Sequence, residues 1–179
     1  MCGNKYYFQC ADISPHVPTD VQLVDEAHFT RLRCQLGVSE GVAELGVAKV
    51  TPLEFNLDYL HGVNFHKGCY IGQELTARTH HTGVIRKRIL PLTFQDTSFK
   101  ENIVQDATAD LNVVNEKGKN VGKVKRIFGD VGLGLMRLKD TFEAEKLSVG
   151  GSLVTVERPK WWPADKEINI NNNSSSELK

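Results

Sequence analysis

Long apolar runs, a cysteine framework, a net charge and an internal repeat are all missing from this sequence. No stretch of the 179 residues has the continuous hydrophobicity of a membrane-spanning helix, so no membrane partner is expected. Basic and acidic residues number 22 each, which excludes a general field for attracting nucleic acid and leaves basic patches as a local matter. Four cysteines occur without a CxxC pair or regular spacing. That pattern points to free thiols in a reducing compartment and not to a disulfide-stapled secreted domain. Met1–Phe8 has neither a secretory apolar core nor the Arg-rich, acid-poor character of a mitochondrial leader. Two nucleotide-binding echoes also fail. Gly118–Val124 has short glycine spacing and no Ser or Thr after the lysine, and Gly129, Gly132 and Gly134 stand in the wrong order for a dinucleotide fingerprint.

What remains is ordinary globular composition, 40% hydrophobic and 25% charged, enough for one domain or a small domain plus part of another. Residues 1–24 read as a strand remnant and a loop. From Asp25, an N-cap residue, Phe29, Leu32 and Leu36 fall at helical spacing and Gly37 stops the helix. Residues 37–50 read as a glycine-punctuated loop. Thr51-Pro52-Leu53-Glu54 has capping-box form with Pro at the first helical position, and Leu53, Leu57 and Leu60 mark one face of a short helix. Beyond Gly83 the period changes to two. Leu90, Leu92 and Phe94 alternate as a strand that Pro91 assigns to an edge. Leu111–Val114, Val121–Phe128, Val131–Leu138 and Leu153–Glu157 read as further strands, Glu116–Lys119 as a hairpin turn, and 141–147 as a helical turn. Short strands at this spacing predict a small β-barrel or sandwich. The Asn- and Ser-rich tail from residue 164 predicts disorder.

The densest chemistry lies in Lys67-Gly68-Cys69-Tyr70-Ile71-Gly72-Gln73-Glu74. The two glycines suit a tight turn or a close approach of backbone to a ligand. Gln73–Arg78 then reads as a helix ending near Gly83. Cys69 would stand just before a helix N-terminus and beside Lys67, a setting that favours thiolate over thiol. The bland alternative is a buried small hydrophobe.

This octapeptide resembles the signature of the YgfZ-type folate-binding family, which is related to the T-protein of the glycine cleavage system. The likeness extends through Pro52–Leu57, Ala77–Arg88, Gly132–Leu138 and Pro159–Pro163, so that about residues 25–163 are covered. Eukaryotic members of the family are mitochondrial iron–sulfur cluster assembly factors. The resemblance implies an α+β chain: a C-terminal remnant of a folate-binding, T-protein-like α/β domain over 1–85, an antiparallel β-barrel over 86–163, and the tail 164–179. It implies a mitochondrial matrix location and a long N-terminal portion ahead of residue 25, so the chain reads as N-terminally truncated. The aminomethyltransferase relatives carry an acidic residue where Cys69 stands, which argues against methylene transfer and for a thiol-based role.

Stoichiometry constrains that role. A cluster usually takes four protein ligands, and no second cysteine lies near Cys69 in sequence. If Cys69 binds a cluster, the other ligands must come from elsewhere, most simply from a partner protein. The resemblance implies assembly of [4Fe-4S] proteins, not conventional catalysis, with Cys69 as the metal ligand on a cluster shared with an A-type scaffold protein. Lys67, Gly68, Tyr70, Gly72, Gln73, Glu74 and Arg78 form its surroundings. Gln73 and Glu74 could also hydrogen-bond the pterin of tetrahydrofolate, which would make the chain a one-carbon transferase. The alternative for both is first-turn helix chemistry. His66 lies three residues before Cys69 as half a zinc site with no matching half. The basic groups Arg78, Arg86, Lys87, Arg88 and Lys117, Lys119, Lys123, Lys125, Arg126 allow a third reading, an RNA-binding or tRNA-modification module. Solvated strand faces explain them better, because aromatic residues are scarce among them. Cys2, Cys10 and Cys34 carry no functional expectation, and Trp161-Trp162 is expected to close the barrel.

Overall fold

Six antiparallel strands close on themselves in the order β1-β4-β3-β2-β5-β6. They are Lys87–Phe94 (β1), Asn112–Asn115 (β2), Asn120–Phe128 (β3), Val131–Arg137 (β4), Leu147–Val149 (β5) and Ser152–Val156 (β6). The coordinates are a computed structural model and describe residues 24–46, 51–82, 84–95 and 111–163. The sequence readings for residues 1–23, for the tail and for the stop at Gly83 fall outside these ranges.

Alternation explains the barrel. Leu90, Leu92 and Phe94 join Val113, Val121, Val124, Met136, Leu147, Val149 and Val154 in the main core, with Leu138 and Trp162. Closure leaves no edge strand, so the edge assignment of Pro91 is corrected. Pro91 is paired with Leu133 on β4 and lies one residue outside the stretch of β1 paired with β6. A missing N–H costs nothing there. Gly132 marks the tightest approach to backbone: a Cβ on it would fall 2.5 Å from the Arg126 carbonyl oxygen. The predicted hairpin joins β2 to β3. Gly118 is left-handed, and Asn115 Oδ1 accepts from the N–H groups of Lys117 and Lys119. The strand β5 was not predicted, since three residues are too few to show a period. The predicted helical turn begins earlier, as Leu138–Glu143 (α4).

Glu26–Leu36 (α1) forms as its caps dictate. Asp25 accepts from the His28 N–H, and Gly37 ends the helix in the left-handed region. Its buried face is not the Phe29–Leu32–Leu36 stripe, however. Thr30, Arg33, Cys34 and Gly37 face inward, and Leu36 is exposed. Small side chains allow close approach to β1 and β4, against which α1 packs. Cys34 joins Phe55, Ile89, Val131 and Leu133 in a second core on the barrel's outer wall. The expected loop after Gly37 contains a short helix, Gly41–Leu45 (α2). Its buried Glu44 is paired with Arg33 at 2.7 Å and Arg126 at 3.1 Å, which explains how Arg33 can be turned inward.

The capping box at Thr51 is present, but the helix behind it is one 3-10 turn, Pro52–Phe55. Asn56 adopts φ 60° and ends it, so Leu53, Leu57 and Leu60 do not share a helical face. Leu53 is buried, and Leu60 is exposed. Asn56 is held there by its side chain, whose Nδ2 donates to the Ile89 carbonyl at 2.9 Å.

Candidate functional site

Just past the end of the 3-10 turn stands Asp58, near the start of β1 stands Arg88, and these two residues are bonded to each other. Arg88 donates to both Asp58 carboxylate oxygens at 2.8 Å, to the Leu53 carbonyl at 2.9 Å and to Asn56 Oδ1 at 3.1 Å. Its guanidinium lies 4.0 Å from the Tyr59 ring centroid and 5.6 Å from that of Trp162. Both charged side chains are 3% exposed. Arg88 is thus an interior ion-pair partner and Arg126 a half-buried one, and neither belongs to a solvated basic face, a correction to the sequence reading. Everything between Asp58 and Arg88 is an arm whose base is fastened by this clamp.

At the far part of the arm lies the octapeptide. Gln73–Thr82 (α3) begins as expected, with Cys69 four residues ahead of it. The entry is a half capping box: Gln73 Oε1 accepts from the Tyr70 N–H at 3.1 Å, and the Gln73 N–H donates to the Tyr70 carbonyl at 3.2 Å. Gly72 has φ 86°, which the turn requires of glycine. Gly68 has no positive φ, and a Cβ there would meet nothing within 4 Å. The Lys67 ammonium lies 5.2 Å from the Tyr70 ring centroid. Cys69 is a free, exposed thiol, so the bland reading of it as a buried hydrophobe is excluded.

Glu74 and Arg78 are paired with each other at 2.6 Å on the exposed face of α3. Gln73 is engaged with its own turn. Both arrangements are those of first-turn helix chemistry. His80 and His81 lie in the last turn of α3, and His80 stacks on Phe65 at 3.7 Å between ring centroids. This stack ties the loop before Cys69 to the helix after it. Phe65 was missed by sequence reasoning, since a lone aromatic in a loop has no periodic signal. Among the described residues no three His, Cys, Asp or Glu side chains converge as a metal site, and His66 finds no matching half. Lys119 is paired with Asp140 at 2.8 Å. Trp162 is buried in the barrel core, and Trp161 Nε1 donates to the Leu36 carbonyl at 2.7 Å, so the pair closes the barrel and ties it to α1.

A barrel of this kind defines a class. Residues 86–164 match the family described as CAF17, C-terminal beta-barrel domain. The fold is similar over part of the chain to the glycine cleavage system aminomethyltransferase T from Bartonella henselae. That likeness has a TM-score of 0.54 at 15% identity and covers 73% of this chain and 37% of that one. The relatives then narrow the class. The chain is homologous to proteins named as mitochondrial iron–sulfur cluster assembly factors. It is 36% identical to the IBA57 homolog of Mycosarcoma maydis, over 81% of this chain and 47% of that protein. It is 39% identical to IBA57 of Homo sapiens, over 85% and 42%. It is 41% identical to the IBA57 homolog of Neosartorya fischeri, over 72% and 32%. The chain thus spans less than half the length of each of these relatives.

Proposed function

We propose that the chain acts as a mitochondrial iron–sulfur cluster assembly factor, serving [4Fe-4S] proteins of the matrix. Cys69 donates one ligand to a cluster whose other ligands come from an A-type scaffold protein. The observation that carries this reading is a thiol held out to solvent on a built turn, the single exposed one among the described residues. The other cysteine among the described residues, Cys34, is buried under α1 and out of play. One thiolate cannot hold a cluster that takes four ligands. It can complete one that a partner brings. The thiol proton goes to solvent, the Sγ lone pair binds an exposed iron, and a labile ligand leaves. Gly68 leaves open space beside Cys69, and Lys67 places positive charge near an anionic cluster. The names of the relatives support the same process, and their mitochondrial location supports the compartment.

The test is anaerobic mixing of the chain with cluster-loaded A-type scaffold protein, followed by size exclusion and visible absorption. Wild type is expected to form a coloured heterocomplex that Cys69→Ser does not form. Equal colour with both proteins, or with neither, removes Cys69 as the ligand.

A further inference from the structure

Within the arm, the stretch from His61 to Arg86, with Lys87 where β1 begins, differs from the rest of the molecule in charge and in exposure. It holds Lys67, Arg78, Arg86 and Lys87 against one acidic residue, Glu74, in a chain whose charges otherwise sum to zero. All four bases are exposed. Glu74 is engaged by Arg78, so Lys67, Arg86 and Lys87 leave the arm positive. The same arm exposes large apolar side chains. Ile71 is fully exposed, Leu75 is 59% exposed, and Val84 and Tyr70 follow at 48% and 37%. Within α3 the one buried residue is Thr76. Scattered apolar residues on a surface need no explanation, but a group of them following a presented thiol does.

We infer that this arm is a docking surface for a partner protein carrying an apolar groove with an acidic rim. Ile71 and Leu75 enter the groove, and Lys67, Arg86 and Lys87 meet carboxylates at its edge. Charge decides the kind of partner and the aliphatic anchors decide its class. A nucleic acid would match the charge but has no use for Ile71 and Leu75. The rings that might stack on bases are already engaged, Phe65 by His80 and Tyr70 by Lys67. The inference rests on the reading that a partner completes the site of Cys69, and it names the surface that brings that partner into register.

The test uses the full chain and titrates A-type scaffold protein, first without cluster and then loaded, by calorimetry. Ile71→Asp and Leu75→Glu are each expected to weaken binding of the cluster-free scaffold by about tenfold or more. Their melting temperatures should match wild type, because neither side chain is buried. Arg86→Glu with Lys87→Glu should slow association and flatten its salt dependence. Cys69→Ser should bind the cluster-free scaffold like wild type, while its complex with the loaded scaffold should fail to keep the cluster. Apolar variants that bind like wild type overturn the docking surface even if Cys69→Ser loses colour. Weakened apolar variants with colour retained in Cys69→Ser uphold the surface and remove the ligand. A wild type that binds neither form of the scaffold overturns both. Tighter binding of a single-stranded RNA, abolished by the charge reversals and untouched by Ile71→Asp, overturns the protein partner in favour of nucleic acid.

Discussion

Burial under α1 pushes the Cys34 thiol up from 9.0 to about 11, since a thiolate there would lose its hydration. The nearby Glu44 carboxylate adds to the rise, and Arg33 and Arg126 oppose it without cancelling it. The sign for stability follows. Below pH 9 the thiol is protonated folded and unfolded alike, and nothing is lost. Between 9 and about 11 the unfolded chain gives up its proton while the folded chain keeps it, so stability falls as pH rises. Two units of separation correspond to about 3 kcal/mol at most. Urea denaturation of wild type and Cys34→Ala across pH 8–11 should give a steeper decline for wild type, and parallel curves would refute the buried thiol. The carboxylate of Glu44 on α2 also decides Arg33 on α1. Burial opposes the charge on Arg33, but the hydrogen-bonded Glu44 overrides it and holds the pKa of Arg33 above its ordinary value.

Single elements owe their geometry to contacts of this kind. The clamp at the base of the arm joins β1 to the 3-10 turn through one guanidinium. Removing one partner of a buried pair leaves the other charge uncompensated, which costs about 3–5 kcal/mol. Arg88→Met and Asp58→Asn should each lose about that much by thermal or urea unfolding, and the double variant should lose less than the sum. Additive losses would mean that the pair is not coupled. None of this was legible in the sequence, where Arg88 looks like one of several surface bases, because burial of a charge depends on partners 30 or more residues away. Locally encoded features read well: the caps of α1, the capping box at Thr51, the turn at Gly118 and the start of α3 all follow from short-range chemistry. Pro91 and the helix after Pro52 misled for opposite reasons. Barrel closure removed an edge that composition seemed to require, and the contacts of Asn56 with Ile89 and Arg88 broke a helix that spacing favoured. At the site itself, the octapeptide marked the turn and the thiol, while the Phe65–His80 stack that steadies them came only with the fold.

For the molecule as a whole, the distribution of buried side chains divides a firm barrel from a lightly held arm. The barrel has two apolar cores, one inside and one under α1, and its strands bond all round. The arm has α3 with one buried residue, the Phe65–His80 stack and the clamp at its base. Amides open locally at a cost set by the packing that must be broken, so elements with few buried contacts exchange first. Hydrogen exchange should therefore show α3 and the octapeptide exchanging well before β1 and β4, whose amides should follow global unfolding. Arg88→Met should hasten exchange in the arm more than in β3 and β2. Addition of the scaffold protein should slow exchange over 69–82 and leave the far strands β2 and β5 unchanged. Protection of α3 equal to that of β1 in the free chain would show that the arm is part of the barrel's cooperative unit. A thiol on a loosely held arm can adjust to the geometry of an incoming cluster while the barrel keeps its place, which is the mechanical sense of separating the two.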